Sequence, residues 1–330
     1  MTEFNFNIPT KKDISEAEKR IRGSIVETPV ITCDAANDRV EAELFFKCEN
    51  LQKAGSFKSR GACNNILSLS PEDLKRGVCT HSSGNHAAAL ARAAFLSKTK
   101  AYIVMPDKAD KTKVALARKY GAEIFSCDST LAARETMLEQ VKKETGAIEI
   151  HPYNNLQTIT GQATACKELL KQCNNSLDIV IAPVGGGGLL SGTALSAHYF
   201  GENVRVIGAE PEMADDATRS FYAGQLIPSE NPQTMADGLR TSLGSYTFPI
   251  ILNYVYEIFT VSEESIAYAM RFVFDNMKIV IEPSSAVTLA AIFENFSVFA
   301  KKKVGVILSG GNIGYGRLYN IFEAFKNGYC

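Results

Sequence analysis

The feature that most constrains the fold is a regular alternation of short apolar runs with segments of helical periodicity. The apolar runs are "AYIVMP" at 101–106, "AEIFSC" at 122–127, "LDIVIAPV" at 177–184, "VRVIGAE" at 204–210 and "KVGVILSGG" at 303–311. The helical segments lie at 85–97, 110–119, 129–145, 158–173 and 263–277. Nearly continuous apolar runs are typical of strands buried on both faces, as in a parallel sheet covered by helices. The alternation therefore predicts an α/β fold.

Composition excludes several classes of partner. The 330 residues suffice for two domains, and 35 basic against 36 acidic residues leave a net charge of −1. Such a balance gives no electrostatic reason to bind nucleic acid or an anionic membrane. The start, "MTEFNFNIPTKKD", lacks the apolar region of a signal peptide, and "AAALARAAFL" is too short to span a bilayer. The eight cysteines show no CxxC spacing, which is typical of free thiols in a reducing compartment. We therefore expect a reduced, cytoplasmic protein.

A glycine loop is the first candidate binding element. In "PVGGGGLLSG" (183–192), Gly185 to Gly188 follow a buried run and precede an apolar helix that begins near Leu189. Consecutive glycines can point several N–H groups into one concavity, and the helix adds the positive end of its dipole. This arrangement predicts a phosphate-binding loop. It is neither a P-loop nor the Rossmann pattern, since Leu190 occupies the third glycine position of that pattern.

The residues alone leave three classes of function open. Glu210 ends the next apolar run, about where a Rossmann domain carries its ribose-binding acid, which favours a nicotinamide oxidoreductase. A non-catalytic ligand-binding protein would also use a phosphate loop. The third class depends on Lys58 in "GSFKSRG" (55–61), a lysine framed by glycines. A lysine amine condenses with an aldehyde, and pyridoxal phosphate supplies both an aldehyde and a phosphate.

Seven stretches in order resemble the fold-type II pyridoxal-phosphate enzymes, and within them the serine racemases and the serine/threonine dehydratases. They are "GSFKSRGA", "HSSGNHAAALA", "PVGGGGLLSG", "EPEMADD", "MADGL", "MKIVIEP" and "LSGGN". The resemblance extends over nearly the whole chain. It implies two open twisted α/β domains with the cofactor in the cleft between them. The large cofactor-binding domain would comprise 1–70 and 154–330, and the small mobile domain 75–153.

The resemblance also implies roles for individual residues. Lys58 would bind the cofactor covalently and act as base on one face of the substrate, while Asn85 would bind the 3′ oxygen of the cofactor ring. Ser309 would meet the pyridine nitrogen. The cofactor contacts implied are Phe57, Lys58, Asn85, Gly185, Gly186, Gly187, Gly188, Leu189 and Ser309. The substrate contacts implied are Ser82, Ser83, Gly84, Asn85, His86 and Arg134.

The expected reaction depends on Ser83. Inversion at the α-carbon needs a proton donor on the face opposite Lys58, and the resemblance gives Ser83 that role. The competing hypothesis is that Ser83 merely caps the helix that starts near Asn85. The implied activity is interconversion of L- and D-serine with concurrent β-elimination to pyruvate and ammonia. The alternative is a serine/threonine or 3-hydroxyaspartate dehydratase without racemisation, and the aromatic Tyr153 in "HPYNN" keeps that alternative open.

The acidic stretch "EPEMADD" is a candidate metal site. From the residues alone it is equally a solvated loop, but the resemblance implies Mg²⁺, or Mn²⁺ or Ca²⁺, bound by Glu210, Asp216 and the Ala214 carbonyl. A homodimer is implied as well. ATP activation is not expected, because Cys33, Asp34 and Ala54 stand where animal racemases carry nucleotide-binding residues. The remaining histidines, His81, His151 and His198, are interpreted as structural.

Overall fold

Two sheets and their covering helices make up the part of the chain that the computed structural model describes, residues 6–107, 109 and 111–326. The strands are β1 Val30–Ile31, β2 Glu43–Cys48, β3 Val78–His81, β4 Ala101–Pro106, β5 Glu123–Cys127, β6 Ile148–Glu149, β7 Ile179–Pro183, β8 Arg205–Pro211, β9 Glu257–Val261 and β10 Lys303–Leu308. The helices are α1 Lys11–Ile21, α2 Asp34–Val40, α3 Lys58–Ile66, α4 Pro71–Arg76, α5 Asn85–Leu96, α6 Lys111–Lys119, α7 Leu131–Thr145, α8 Leu156–Gln172, α9 Gly188–Phe200, α10 Asp216–Ala223, α11 Thr247–Tyr254, α12 Glu263–Met277, α13 Pro283–Glu294, α14 Phe296–Phe299 and α15 Tyr315–Ala324. No helix of this part of the chain has the length and apolar character that crossing a membrane requires.

The strands are partitioned between the two sheets by their position in the chain. Strands β1, β2, β10, β7, β8 and β9 form a six-stranded sheet in that order, and β5, β4, β3 and β6 form a four-stranded one. Neighbouring strands run parallel, which confirms the α/β prediction, except that β1 pairs antiparallel with β2 through Val30 and Lys47. The smaller sheet uses only chain between Val78 and Glu149. The predicted domain boundaries, whose ends at 1–5 and 327–330 lie outside the described residues, stay a prediction.

The apolar runs of the central strands are buried because helices cover both faces of each sheet, whereas β5, at the edge of the four-stranded sheet, is only partly buried. Every residue of β7 is buried, as is β10 from Val304 to Leu308. Separate apolar clusters lie on the two faces of the six-stranded sheet, one against α12 and α13 and the other against α8 and α9. The alanine-rich α5 packs between the four-stranded sheet and α3. Seven cysteines in the described part are free and buried in these interiors.

A network of four buried charges fixes helix α3 in the interior. The Arg60 guanidinium donates to both oxygens of Glu49 at 2.7 Å and to both oxygens of Glu168 at 2.7 Å. The Lys47 ammonium donates to Glu168 at 2.9 Å. Burial alone would raise the pKa of Glu49, but the Arg60 guanidinium holds that pKa below its ordinary value. The network thereby joins α3, which begins at Lys58, to the end of β2 and to α8.

Replacing Arg60 should lower the free energy of unfolding far more than replacing a surface arginine does. Arg60→Met leaves two buried carboxylates facing a single cation, so we expect a loss of about 3–5 kcal/mol in the free energy of unfolding. The control is Arg271→Met, whose exposed pair with Asp275 should contribute less than about 1 kcal/mol. Urea denaturation followed by fluorescence measures both. Equal unfolding midpoints for Arg60→Met and wild type would contradict the assigned role of the network.

Candidate active site

The lysine loop lies where the carboxyl ends of β2 and β10 meet. The Phe57 N–H donates to the Ser309 carbonyl at 3.0 Å, and the Gly311 N–H donates to the Gly55 carbonyl at 3.0 Å. These bonds fasten the residues before Lys58 to the segment that follows β10. Ser309, predicted from the sequence to meet the cofactor, is buried beside this loop. Ligands of open parallel sheets bind at such carboxyl ends.

Lys58 is held in an environment that weakens its positive charge. Its Nζ donates to the Pro152 carbonyl at 2.8 Å and lies 5.1 Å from the centroid of the Phe57 ring. Burial lowers the pKa of Lys58 to about 8, against the opposing attraction of the Glu282 carboxylate. An ordinary lysine has a pKa near 10.4, so this amine is deprotonated, and hence nucleophilic, far more often at neutral pH.

Two uncharged histidines, His86 and His151, lie near this lysine. His86 donates from Nε2 to the Ile150 carbonyl at 2.9 Å, and burial followed by the Lys58 charge lowers its pKa to about 3. Burial, His81 and Lys58 lower the pKa of His151 to about 4. The His151 Nδ1 accepts the Tyr153 and Asn154 N–H groups at 3.3 and 2.9 Å, which places its proton on Nε2.

The grouping of His81 with His151 was not anticipated from the sequence. His81 and His151 are 70 positions apart and follow no ligand-like spacing, but they come together because β3 and β6 are paired neighbours. Their ring centroids are 6.3 Å apart. The available signal was that each histidine stands at the carboxyl end of an apolar run, which is where parallel strands deliver side chains to one edge.

The serine loop follows β3 at the same edge. The Ser82 N–H donates to the Val104 carbonyl at 3.0 Å, and the Ser82 hydroxyl accepts the Gly84 N–H at 3.3 Å. The residue that caps α5 is Gly84, and no side chain caps this helix. The hypothesis that Ser83 serves as a helix cap is therefore wrong. Ser83 lies half-buried in the loop instead.

Close approaches explain why the loop after β7 consists of glycines. Gly187 has φ of +86°, the left-handed conformation, and precedes the first residue of α9. A Cβ on Gly187 would lie 2.8 Å from the side chains of Ile251 and Thr247, and one on Gly185 would lie 2.9 Å from the Leu239 Cα. Leu189 is buried in the first turn of α9. The loop thus presents backbone amides and a helix N-terminus, the geometry that binds phosphate.

Tyr153 covers the glycine loop from the segment after β6. A Cβ on Gly186 would overlap the Tyr153 ring, and one on Gly188 would lie 2.9 Å from the Tyr153 Cβ. Burial raises the pKa of the Tyr153 phenol to about 12, with a further contribution from Asp216, and the Thr241 hydroxyl lies within reach. Tyr153 therefore packs against the glycine loop and lies close enough to the acidic loop for the Asp216 charge to affect its pKa.

The acidic loop after β8 buries two carboxylates. Glu210 ends β8 and accepts the Ala217 and Thr218 N–H groups at 3.3 and 2.6 Å. Burial raises the pKa of Glu210 to about 8 and that of Asp216 to about 6. Both oxygens of Asp216 are buried without a hydrogen-bond partner. Ala214 lies in the single helical turn between them.

Two carboxylates of the acidic loop, Glu210 and Asp216, are buried and could bind a metal ion together. Within the described ranges, no three His, Cys, Asp or Glu side chains gather as metal ligands. A site here would consist of Glu210, Asp216 and backbone or water oxygens, which is the ligand chemistry of a hard cation.

Arg134 lies at the edge of the candidate site. It stands on α7, half-exposed, with its Nε 3.4 Å from the Thr130 carbonyl that accepts its hydrogen bond. Its charge contributes to lowering the pKa of His81, after the larger effect of burial. The arginine is therefore close enough to the histidine cluster to attract an anion towards it.

Comparison with known proteins identifies the class to which this site belongs. Residues 21–310 match the model of the family described as "Pyridoxal-phosphate dependent enzyme", and the chain belongs to that family. This membership confirms the resemblance found in the sequence and favours the pyridoxal-phosphate hypothesis over the nicotinamide and non-catalytic alternatives.

Relatives within the family carry two kinds of name. The serine racemase of Dictyostelium discoideum is 50% identical over 92% of this chain and 95% of its own length. The beta-hydroxyaspartate dehydratase of Paracoccus denitrificans is 46% identical over 94% of this chain and 98% of its own length. The solved structure of maize serine racemase is similar with a TM-score of 0.92 at 40% identity, covering 98% of this chain and 99% of that one.

The glycine loop gives a direct test of the site geometry. Gly187→Ala would place a Cβ in the left-handed conformation at a cost of about 1–2 kcal/mol. Overlap with Ile251 and Thr247 would add about 1–3 kcal/mol. The control is Gly23→Ala, where a Cβ meets nothing within 4 Å. We expect thermal denaturation to show a clear fall in melting temperature for Gly187→Ala only. A fall of the same size in both variants would show that the loop geometry is not special.

Proposed function

We propose that the chain is a serine racemase that also dehydrates serine to pyruvate and ammonia. The observation that carries this proposal is the position of Lys58, a lysine of lowered pKa, whose Nζ donates to the Pro152 carbonyl next to Tyr153, the residue that covers the glycine loop. The names of the relatives support it, since the Dictyostelium and maize proteins are both described as serine racemases.

The residues present fit pyridoxal phosphate. Gly185 to Gly188 and the Leu189 amide would hold its phosphate, because that loop combines N–H groups with a helix N-terminus. Lys58 would bind it covalently, with Phe57 beside it, while Asn85 and Ser309 would bind the ring oxygen and the ring nitrogen. When bound, the cofactor acidifies the α-carbon of an amino acid by accepting the charge of the carbanion.

Proton transfer would be divided between two side chains. Lys58 would remove and return the α-proton on its own face, which its lowered pKa favours. Ser83 would serve the opposite face, and its hydroxyl is available because α5 has no side-chain cap. Ser82, Gly84, Asn85 and His86 would bind the substrate carboxylate at the start of α5, with Arg134 nearby.

A second candidate function is dehydration of L-serine, L-threonine or 3-hydroxyaspartate without significant racemisation. The observation that favours it is the beta-hydroxyaspartate dehydratase at 46% identity. The cationic Arg134 near the histidine cluster would suit a substrate with a second carboxylate. Assaying L-serine, L-threonine and L-threo-3-hydroxyaspartate separately distinguishes the candidates, because only a racemase forms D-serine.

Glu210, Asp216 and the Ala214 carbonyl are proposed to hold a divalent cation, Mg²⁺ or alternatively Mn²⁺ or Ca²⁺. The support is the buried, unpartnered Asp216 carboxylate beside a second buried carboxylate. Two such groups raise each other's pKa unless a cation compensates them. The cation would order the loop and the adjoining Tyr153 rather than act on the substrate.

The wider organisation is also a proposal. The four-stranded sheet would move towards the six-stranded one as a small domain and thereby exclude water from the carbanion. The chain would work as a cytoplasmic homodimer without strong activation by ATP. The structural reason against ATP is that Cys33 is buried at the start of α2 and that Ala54 carries no side-chain donor.

Ser83→Ala should separate two reactions that share one carbanion. D-Serine formation from L-serine should fall by about a hundredfold or more, the usual contribution of a general acid. Pyruvate release from L-serine needs no proton on that face, so it should stay within about tenfold of wild type. Pyruvate release from D-serine should fall with racemisation. Chiral chromatography and a keto-acid assay measure all three rates.

Dehydration of L-serine serves as the internal control of that experiment, because it requires an intact fold and bound cofactor. If all three rates drop together, Ser83 holds the substrate rather than transferring a proton. If wild-type protein forms no D-serine, the dehydratase candidate is correct.

Removal of the cation should destabilise the protein through the acidic loop. An ion present at about a hundred times its Kd stabilises the folded state by about 2.7 kcal/mol. We expect Mg²⁺ to raise the melting temperature of chelator-treated wild type but not of Asp216→Asn. The matched control is Asp215→Asn, the neighbouring acid, which pairs with Arg219 at the surface. A similar response to Mg²⁺ in Asp216→Asn and wild type would contradict the metal site.

A further inference from the structure

A chain of three side chains leads from the lysine loop to a buried carboxylate. The Asn312 Nδ2 donates to the Ala54 carbonyl and to the Asn85 Oδ1, both at 2.8 Å. The Asn85 Nδ2 in turn donates to the Glu282 Oε1. Ala54 lies just before the lysine loop, Asn85 begins α5, and Glu282 precedes α13. The chain therefore joins three elements that surround Lys58.

Hydrogen-bond chemistry fixes the direction of this chain. A backbone carbonyl only accepts, so the amide nitrogen of Asn312 must face Ala54. The same nitrogen then requires an oxygen from Asn85, and the Asn85 nitrogen is left facing the Glu282 carboxylate. Rotating the Asn85 amide by half a turn would set its oxygen against the Glu282 carboxylate and its N–H₂ group against the N–H₂ group of Asn312. The orientation of Asn85 is thus set by its two neighbours.

The backbone makes room for these side chains by using glycine. Gly55 has φ of +72°, and a Cβ there would overlap the Asn312 amide. A Cβ on Gly310 would overlap the Glu282 carboxylate and lie 3.3 Å from the Asn85 Nδ2. The first glycine of the lysine loop is therefore explained by Asn312, and the glycine after Ser309 by Glu282.

Glu282 is the charged end of the chain. It is 3% exposed, and its N–H donates to the Gly310 carbonyl at 3.0 Å. The charged groups that face it are Lys58 on α3, Lys113 on α6, Arg317 on α15 and Asp237 in the turn before α11. Burial raises the pKa of Glu282 to about 7, while Lys113 lowers it and Asp237 raises it. When Glu282 is ionised, its negative charge raises the pKa of Lys58.

We propose that Glu282 and Asn312 are positioning residues that fix the Asn85 amide against the cofactor ring oxygen, and that the Glu282 carboxylate favours the protonated state of the cofactor-bound Lys58 nitrogen. The second hydrogen of the Asn85 amide is then directed at the ring oxygen. A nearby anion stabilises a cation at Lys58, and a protonated carbon–nitrogen double bond is attacked more readily by an incoming amino acid. This inference rests on the proposed cofactor site.

The role of the Glu282 charge is tested by absorbance spectroscopy of the protein with pyridoxal phosphate bound, without measuring turnover. The absorbance of the cofactor bound to Lys58 changes when its nitrogen loses a proton, so a pH titration of the spectrum gives a midpoint. Glu282→Gln keeps the size and an oxygen acceptor for Asn85 but removes the charge. Because a nearby opposite charge typically shifts a pKa by about 1–3 units, we expect loss of the Glu282 charge to lower the midpoint by about one unit. An unchanged midpoint in Glu282→Gln overturns this part of the proposal.

The test of positioning measures the affinity of the full-length protein for pyridoxal phosphate. Asn312→Ala removes the partner of the Asn85 oxygen, so we expect the Kd to rise by about tenfold, the effect of one lost hydrogen bond. The control is Asn50→Ala. Asn50 donates to the Val280 carbonyl at 3.1 Å and packs against Gly311, so it supports the same junction without contacting Asn85. Its variant should bind within about twofold of wild type.

The outcomes separate this inference from the proposed function. If wild-type protein shows no cofactor absorbance and no binding, the proposed function fails. If wild type binds cofactor but Asn312→Ala and Asn50→Ala bind equally well, the positioning role is overturned. The affinity comparison stands even where Glu282→Gln does not fold, since it depends on different variants.

Discussion

The buried pairing of Arg60 with Glu49 and Glu168 is the interaction on which the site depends. Arg60 stands two residues after Lys58 on the same helix, and its fork is satisfied by carboxylates from the end of β2 and from α8. A buried charge without partners costs several kcal/mol, so moving α3 away from the position in which Arg60 is paired is strongly unfavourable. Fixing α3 fixes the residue at its start. The backbone position of Lys58 is thereby fixed, and its side chain is held by the hydrogen bond from Nζ to the Pro152 carbonyl.

Weak charge characterises the surroundings of Lys58. Burial lowers the pKa of the lysine and of His86 and His151, so the two histidines are neutral and the lysine loses its proton more readily than an exposed lysine does. Burial raises the pKa of Glu210 and Asp216 in the adjoining loop, so these carboxylates need a compensating partner. A desolvated site of this kind is suited to proton transfer at carbon, because water would otherwise compete for the same protons.

Much of the fold follows from local patterns in the sequence. The strand β4 has the bounds of its apolar run, and α12 those of its helical segment, since long periodic segments carry their own signal. The glycine loop was equally accessible, because strand, glycines and helix are contiguous. The short antiparallel β1 was not, since two residues show no periodicity. The histidine cluster and the Asn312–Asn85–Glu282 chain depend on strand order and loop contact, which one sequence read locally does not contain.

The role of Ser83 illustrates the difference. Its position before a helix made capping a reasonable hypothesis, and only the backbone shows that Gly84 occupies the capping position. Lys58, by contrast, could be singled out by its glycine frame. The structure then supplied separate reasons for those glycines, Asn312 beside Gly55 and the Gln162 side chain beside Gly61. Both glycines leave space in which side chains from distant segments approach α3.

The central claim is that Lys58 carries the cofactor. Purified protein is incubated with pyridoxal phosphate, reduced with borohydride to make any lysine linkage permanent, digested and mapped by mass spectrometry. The account predicts a stoichiometric adduct on Lys58, with the yellow absorbance lost on reduction. An adduct on another lysine, or none on the protein while the cofactor is bound, would contradict it.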